Sequence, residues 1–419
     1  MATLDGLVSV FRSKKIFLLL LLGFSSGLPL ALTAGTLQAW LAADGVDIVA
    51  IGWFALVGQP YIYKFLWAPF MDRYAPPFLG RRRGWLLITQ LLLAAAIAFM
   101  GRLSPADSAW LLGASALAVA FLSASQDIVF DALRTDWLER EERGAGAAVS
   151  VLGYRLAMLV SGAGALILAD QWLGWHAAYW LMAALMGIGM AATWFALEPE
   201  PKGAAPKSLD EAVVQPFAEF FSRQGAVLML LVVVLYKLGD AFAGNLTTTF
   251  LLRGPGFSLT EIGAINKGFG LAATIVGALA GGALMAQMRL YRALLLFGIL
   301  QAITNLGFML LAASGKSYAL MVTVIGLENL CGGMGTAAYV ALLMALCDRR
   351  FSATQYALLS ALSAVGRVYV GPAAGYLVAG LGWEMFFFFT FLIALPGLAL
   401  LGWMHSRIDS LDVTPGSPN

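Results

Sequence analysis

The stretch SASQDIVFDALRTD (123–136) spaces Asp127, Asp131 and Arg134 at i, i+4 and i+7, so a helix stacks all three on one face where they can pair. Two chemistries fit that row. Asp127, deepest in the apolar run WLLGASALAVAF that precedes it, reads as a proton carrier that takes up a proton when its surroundings dry and gives it up when Arg134 or another cation approaches. Asp131, Arg134 and Asp136 read instead as a structural clasp tying this segment to the Asp72–Arg73 loop, and Asp127 admits the same reading. Elsewhere Lys237 and Asp240 lie one turn apart and can neutralise each other, whereas Arg155, Lys267 and Arg367 have no carboxylate one turn away on their own segments. Such cations suit substrate carboxylates. Glu328, beside Asn329, is a second proton site or a partner for one of them, and Lys64 completes a set of six cations and four anions.

The elements that must carry these groups are membrane spans. A chain of 419 residues that is 60% hydrophobic and 12% charged has too much apolar surface for a water-soluble core. Twelve runs have the roughly 20-residue length that crosses a bilayer. Their approximate limits are 16–41, 48–71, 85–102, 109–136, 145–169, 175–197, 225–252, 259–287, 291–313, 318–347, 353–380 and 384–405, and they are numbered here as spans 1 to 12. At about 2.5–3.5 kcal/mol for each buried charge, exposing the whole set to lipid would cost on the order of 25–35 kcal/mol, so the charges must face one another or water. None of the ten lies in spans 3, 6, 9 or 12. Every third span therefore reads as apolar throughout, a scaffold around an inner set that lines a polar cavity of net charge +2, attractive to an anionic solute.

Matching punctuation at a near-constant offset marks an internal repeat. Ile51-Gly52 recurs as Ile262-Gly263 (offset 211), Gly162 as Gly371 (209) and Gly174-Trp175 as Gly382-Trp383 (208). The expected organisation is an all-α membrane protein with an N-terminal six-helix bundle (1–197), a cytoplasmic linker (198–224), a C-terminal six-helix bundle (225–405) and a short tail (406–419). In the linker, Ser208 and Glu211 form an S-x-x-E capping box. Val213, Phe217, Phe220 and Phe221 share one helical face, which predicts a short interfacial helix interrupted by Pro216. With the N-terminus cytoplasmic, 17 of the 20 loop and terminal Lys and Arg fall inside and only Arg102, Arg253 and Lys316 outside, which predicts two cytoplasmic termini.

Other chemistries are disfavoured. GFSSG (23–27) fits G-x-S-x-G but lies inside a span, where a nucleophile elbow has no strand to turn from. SGKS (314–317) lacks the first glycine of a phosphate loop because position 310 is Leu, so ATP is not expected as fuel. The two histidines, His176 and His405, sit at span ends, which supports neither a histidine metal site nor a His-based triad, and no cofactor is expected beyond the proton gradient as energy source. Cys331 and Cys347 lie on one helix roughly 24 Å apart and cannot bridge. The glycine clusters GGALM and CGGMG mark close helix packing or bends.

From about residue 12 to 405 the sequence resembles the AmpG family of anhydromuropeptide permeases within the major facilitator superfamily. The blocks that carry the likeness include SGLPLALTAGTLQAWL, KFLWAPFMDRY, SASQDIVFDALRTD, YKLGDAFAGNLTTTFLLRG, ENLCGGMGTAAYVALLMALC and FSATQYALLSALSAVGRVYVGP. The resemblance implies the two-bundle transporter fold and proton-driven import of GlcNAc-anhydroMurNAc and its peptides from periplasm to cytoplasm, with an influence on β-lactamase induction. It also implies the shorter, twelve-helix type, a monomer in the bacterial inner membrane, and an important acid that maps onto Asp127. DRYAPPFLGRRRG (72–84) is similar to the superfamily's loop between helices 2 and 3, with extra residues between Asp72 and the basic run, so Asp72, Arg73 and Arg81 join Asp131, Arg134 and Asp136 as gating or clasp candidates. The proton-coupling candidates are Asp127, Asp240 and Glu328. The substrate candidates are Lys64, Arg155, Lys237, Lys267 and Arg367, with Gln38, Gln59, Gln126, Tyr154 and Asn245, and with Trp40, Tyr61 and Tyr339 as further ring partners. A carrier of acetyl-CoA type, a drug exporter of similar fold and an enzyme on lipid-linked sugars are the rival readings.

Overall fold

The structure, a computed structural model, describes residues 13–138, 143–199, 215–347 and 352–411, which are helical with no strand among them. Among the described residues, ten helices are long and apolar enough to span a membrane. Two of them, Gly146–Phe195 and Leu359–Trp403, contain 50 and 45 residues, and at 1.5 Å per residue each is about twice the length a bilayer accepts. Each turns at a glycine whose backbone is closed to other residues: Gly174 at φ 67°, ψ 173° and Gly382 at φ 76°, ψ 174°. Ten helices with two such turns make twelve spans. The two glycines are the repeat-related pair at offset 208, so a sequence signal and a steric requirement coincide.

The chain forms two compact units. Unit 1 holds Met1–Val46, Val57–Gly203 and Ser258–Gly263, and unit 2 holds Asp47–Leu56, Ala204–Phe257 and Ala264–Asn419. In unit 1, span 1 lies directly on span 5: a Cβ added at Gly23, Gly27 or Gly153 would collide with backbone of Ser150, Tyr154 or Leu20. Lipid gives helices no hydrophobic reason to associate, so close backbone approach between small residues is what holds such a pair. The GFSSG motif is thereby accounted for. Its two glycines seat the helix against span 5 and its two serines, Ser25 and Ser26, are buried. In unit 2 the glycine clusters act similarly, Gly281 of GGALM meeting the Met334 backbone and Gly333 of CGGMG the Thr274 backbone.

Several spans predicted as continuous are broken. Span 1 runs as Lys14–Leu32 and Gly35–Ala43, and span 7 as Ala226–Tyr236 and Leu238–Arg253 with Lys237 at the junction. Span 2 alternates α and 3₁₀ pieces, with Lys64 opening the 3₁₀ turn Lys64–Leu66, and span 8 begins with a π-helical stretch, Ile262–Phe269, that contains Lys267. All three intramembrane lysines therefore sit where the regular backbone ladder is interrupted. Irregular backbone at membrane depth is tolerated where protein or water satisfies it and is where transporters build sites.

Ser208, Glu211 and Val213 of the expected interfacial helix lie outside the described residues. The helix Gln215–Ser222 is present, with Pro216 in its first turn where a missing N–H costs nothing. Phe220 and Phe221 do not share a burial state: Phe220 is buried in the core of unit 2 and Phe221 is half exposed. The segment is anchored by Glu219, which pairs with Arg223 at 2.6 Å and accepts from Gln355 Nε2 at 2.6 Å.

Candidate functional site

Asp127 belongs to unit 1, on the helix Pro105–Trp137, and Ser26 Oγ of span 1 donates to its Oδ1 at 2.5 Å. The charges that act on it are those of Lys64 from span 2 and Asp131 one turn along its own helix. The surroundings are polar and under-satisfied. Tyr61 Oη, Ser123 Oγ and Gln126 Oε1 are buried without a well-formed hydrogen bond among the described residues, while Gln126 Nε2 donates to Ser25 Oγ at 3.2 Å. Ser26 and Ser123 were not legible as site residues. A serine in a span usually bonds its own helix, and what distinguishes Ser26 is a neighbour 101 positions away.

In unit 2, Lys237 ends the helix Ala226–Tyr236, and its Nζ is 3.4 Å from Asp240 Oδ2, 3.3 Å from Gln301 Oε1 and 3.3 Å from Thr336 Oγ. The expected Lys237–Asp240 pair is therefore present, though it is long. Glu328 accepts from Asn329 Nδ2 at 2.8 Å and lies in the field of Asp240, Lys237 and Lys267. Lys267 Nζ donates to Thr248 Oγ at 2.9 Å, and Thr274 Oγ to Asn329 Oδ1 at 2.9 Å. The structure thus gathers Lys237, Asp240, Lys267 and Glu328, from spans 7, 8 and 10, into one polar cluster of balanced charge.

The two arginines behave differently. Arg155 and Arg367 are both exposed on the isolated chain, and neither forms an ion pair among the described residues. Arg155 Nη1 approaches the Met158 sulfur at 3.9 Å. Guanidinium groups at that depth are too costly for hydrocarbon, so both face water.

Other expected ring and amide partners are occupied. Trp40 is buried and stacked on Trp175 at 5.7 Å, and Tyr339 stacks on Tyr236 at 5.7 Å while its hydroxyl donates to the Val233 carbonyl at 2.7 Å; both rings are core. Asn245 Nδ2 donates to the Arg367 carbonyl at 3.1 Å, which ties span 7 to span 11 and leaves its Oδ1 unpaired. Gln38 is buried, and Gln59 and Tyr154 are half-buried.

The expectation that spans 3, 6, 9 and 12 are apolar throughout needs correction. They carry none of the ten charges, but Gln90, Thr193, Gln301, Asn305 and Thr390 are all buried on them. Thr193 Oγ donates to Gln90 Oε1 at 2.9 Å. A hydropathy scan averages one amide into a run of leucines and misses it.

The clasp lies at the ends of spans 3, 4 and 6 in unit 1. Asp136 pairs with Arg82 at 3.0 Å, and the Glu198 carboxylate accepts the backbone N–H of Arg82 and Arg83 at 2.7 and 3.0 Å, capping the helix Arg81–Met100 at its positive end. Arg83 in turn donates to the Thr193 and Trp194 carbonyls at 3.1 and 2.7 Å, where span 6 ends. Asp131 pairs with Arg134 at 3.0 Å, and Arg73 lies 5.9 Å from the Tyr74 ring. The side chain of Asp72 lies outside the described residues. Arg82, Arg83 and Glu198 were the members of this network that sequence reasoning passed over.

Twelve spans in two compact units, each with polar side chains gathered around half-buried charges, have the organisation of a membrane transporter. The Major Facilitator Superfamily model matches residues 19–368. The chain is 60% identical over 392 residues to the anhydromuropeptide permease of Escherichia coli K12, covering 94% of this chain and 80% of that one. It is 35% identical to the putative transporter AmpG 4 of Rickettsia felis, covering 96% of this chain and 99% of that one. Among solved structures, a bacterial homologue of the lysosomal transporter Spinster superposes with TM-score 0.74 at 16% identity (97% of this chain, 99% of that one). A D-xylose–proton symporter superposes with TM-score 0.73 at 11% identity (93% and 96%). The chain belongs to the AmpG permease family of the major facilitator superfamily.

Proposed function

We propose that this protein imports anhydromuropeptides, GlcNAc-anhydroMurNAc with or without its peptide, from periplasm to cytoplasm by proton-driven alternating access. The observation that carries this reading is 60% identity across 94% of the chain with a protein named an anhydromuropeptide permease. Asp127 is the group that takes and releases the proton, with Asp240 and Glu328 as the other acids of the pathway. The cations Lys64, Lys237, Lys267, Arg155 and Arg367 meet the carboxylates of the solute. Chemistry supports the pairing: each inward-moving negative charge costs about 2.3 kcal/mol per 100 mV of membrane potential, which cotransported protons offset. The protein works as a monomer in the bacterial inner membrane with both termini cytoplasmic. It uses neither ATP nor a cofactor, and by setting the cytoplasmic muropeptide level it influences β-lactamase induction. Uptake of labelled anhydromuropeptide into proteoliposomes tests this. Accumulation that requires an inward-directed proton gradient supports it, and gradient-independent or absent uptake overturns it.

A further inference from the structure

Gln301 lies on the helix Leu290–Ser314, in the part of span 9 that carries no ionisable group, and is 4% exposed. Its amide occupies a niche walled by two glycines of the CGGMG motif on span 10. A Cβ at Gly335 would come within 2.8 Å of Gln301 Oε1, and one at Gly332 within 3.4 Å of Nε2. From that niche Oε1 accepts from Lys237 Nζ at 3.3 Å, while Nε2 is buried without a hydrogen-bond partner among the described residues.

The ammonium has three donors, and each is engaged loosely, at 3.3–3.4 Å, against the roughly 2.8 Å of a tight charge-assisted bond. Two of its three acceptors, Gln301 and Thr336, are neutral. They hold the ammonium in place without cancelling its charge. Without Gln301, Coulomb attraction draws it fully onto Asp240, where the pair neutralises itself.

We infer that Gln301 is a positioning residue that keeps the Lys237 ammonium from closing onto Asp240 and so sets the affinity of unit 2 for the negative charge of the solute. This rests on the reading of Lys237 as a carboxylate-binding group. It also gives the CGGMG glycines a purpose beyond packing, since a side chain at Gly335 would displace the amide oxygen.

Kinetics of uptake of a labelled peptide-bearing anhydromuropeptide test the inference in Gln301→Leu, Lys237→Gln and the double variant. Gln301→Leu fills the niche without an acceptor. It is expected to raise KM about tenfold, the effect of one hydrogen bond to a charged group, with the rate at saturation within about twofold. The double variant is expected to be no worse than Lys237→Gln alone, because both act on one ammonium. A raised KM in Lys237→Gln with an unchanged KM in Gln301→Leu overturns the positioning role and leaves the reading of Lys237 standing. An unchanged KM in Lys237→Gln overturns both. If Gln301→Leu does not fold, Gln301→Glu decides. Its carboxylate preserves the polar contact but silences the ammonium, so KM rises, and an unchanged KM rejects the inference.

Discussion

The Ser26–Asp127 contact in unit 1 and the Lys237–Thr336 contact in unit 2 occupy related positions of the repeat. Ser26 and Lys237 are 211 residues apart and Asp127 and Thr336 are 209 apart, within the 208–211 offsets of the glycine punctuation. Gln90 and Gln301, also 211 apart, are the buried amides of spans 3 and 9. The offsets recur between the halves and the charges do not. In unit 1 the first span offers a hydroxyl and the fourth an acid, whereas in unit 2 the first offers a cation and the fourth a hydroxyl. Hydroxyl to carboxylate at 2.5 Å is tight, while ammonium to hydroxyl at 3.3 Å is loose. The two halves thus differ in the charge and the tightness of corresponding contacts.

Breaking the unit 1 side has the largest expected effect. Asp127→Asn, matched in size but unable to cycle a proton, should keep the fold and substrate binding yet abolish gradient-driven accumulation. Binding by the purified variant and uptake under an imposed pH gradient measure the two parts, and retained uptake would make Asp127 structural.

Next comes the unit 2 side. Lys237→Ala leaves Asp240 without its cation, and is expected to impair stability more than Lys237→Ala with Asp240→Ala, by about 1–2 kcal/mol given a partly exposed, long pair. Thermal unfolding in detergent reads this directly. Strict additivity of the two singles would mean that the pair contributes nothing.

The arginines sharpen the contrast by substrate. Because Arg155 and Arg367 face water without an ion-pair partner among the described residues, Arg155→Gln and Arg367→Gln should each weaken uptake of peptide-bearing substrate about tenfold, and uptake of the bare disaccharide less. Equal losses for both substrates would remove them from carboxylate binding. The smallest effect concerns the shared scaffold. Gly174→Ala and Gly382→Ala each force a Cβ into a glycine-only conformation at a cost of about 1–3 kcal/mol, so each should lower the melting temperature by a few degrees without changing KM.

Much of this was legible in the linear chain, and the reason is lipid. Where no water can satisfy the backbone, a span must be a helix of fixed length, so twelve apolar runs follow from counting. Expelling charge from hydrocarbon makes each intramembrane Lys, Arg, Asp or Glu conspicuous, and the local pairs Lys237–Asp240 and Asp131–Arg134 followed from helical spacing alone. The turns at Gly174 and Gly382 were visible as repeated punctuation. Beyond that, only the tertiary structure decided. Whether a neutral polar residue packs, bonds its own helix or reaches another depends on the rotation of that helix about its axis, which packing sets and spacing does not. Ser26 on Asp127, Gln301 on Lys237, Arg82 on Asp136 and Trp40 in the core are outcomes of that rotation. Burial and charge are written into composition residue by residue. Partnership across tens or hundreds of positions exists only once the helices have found their faces.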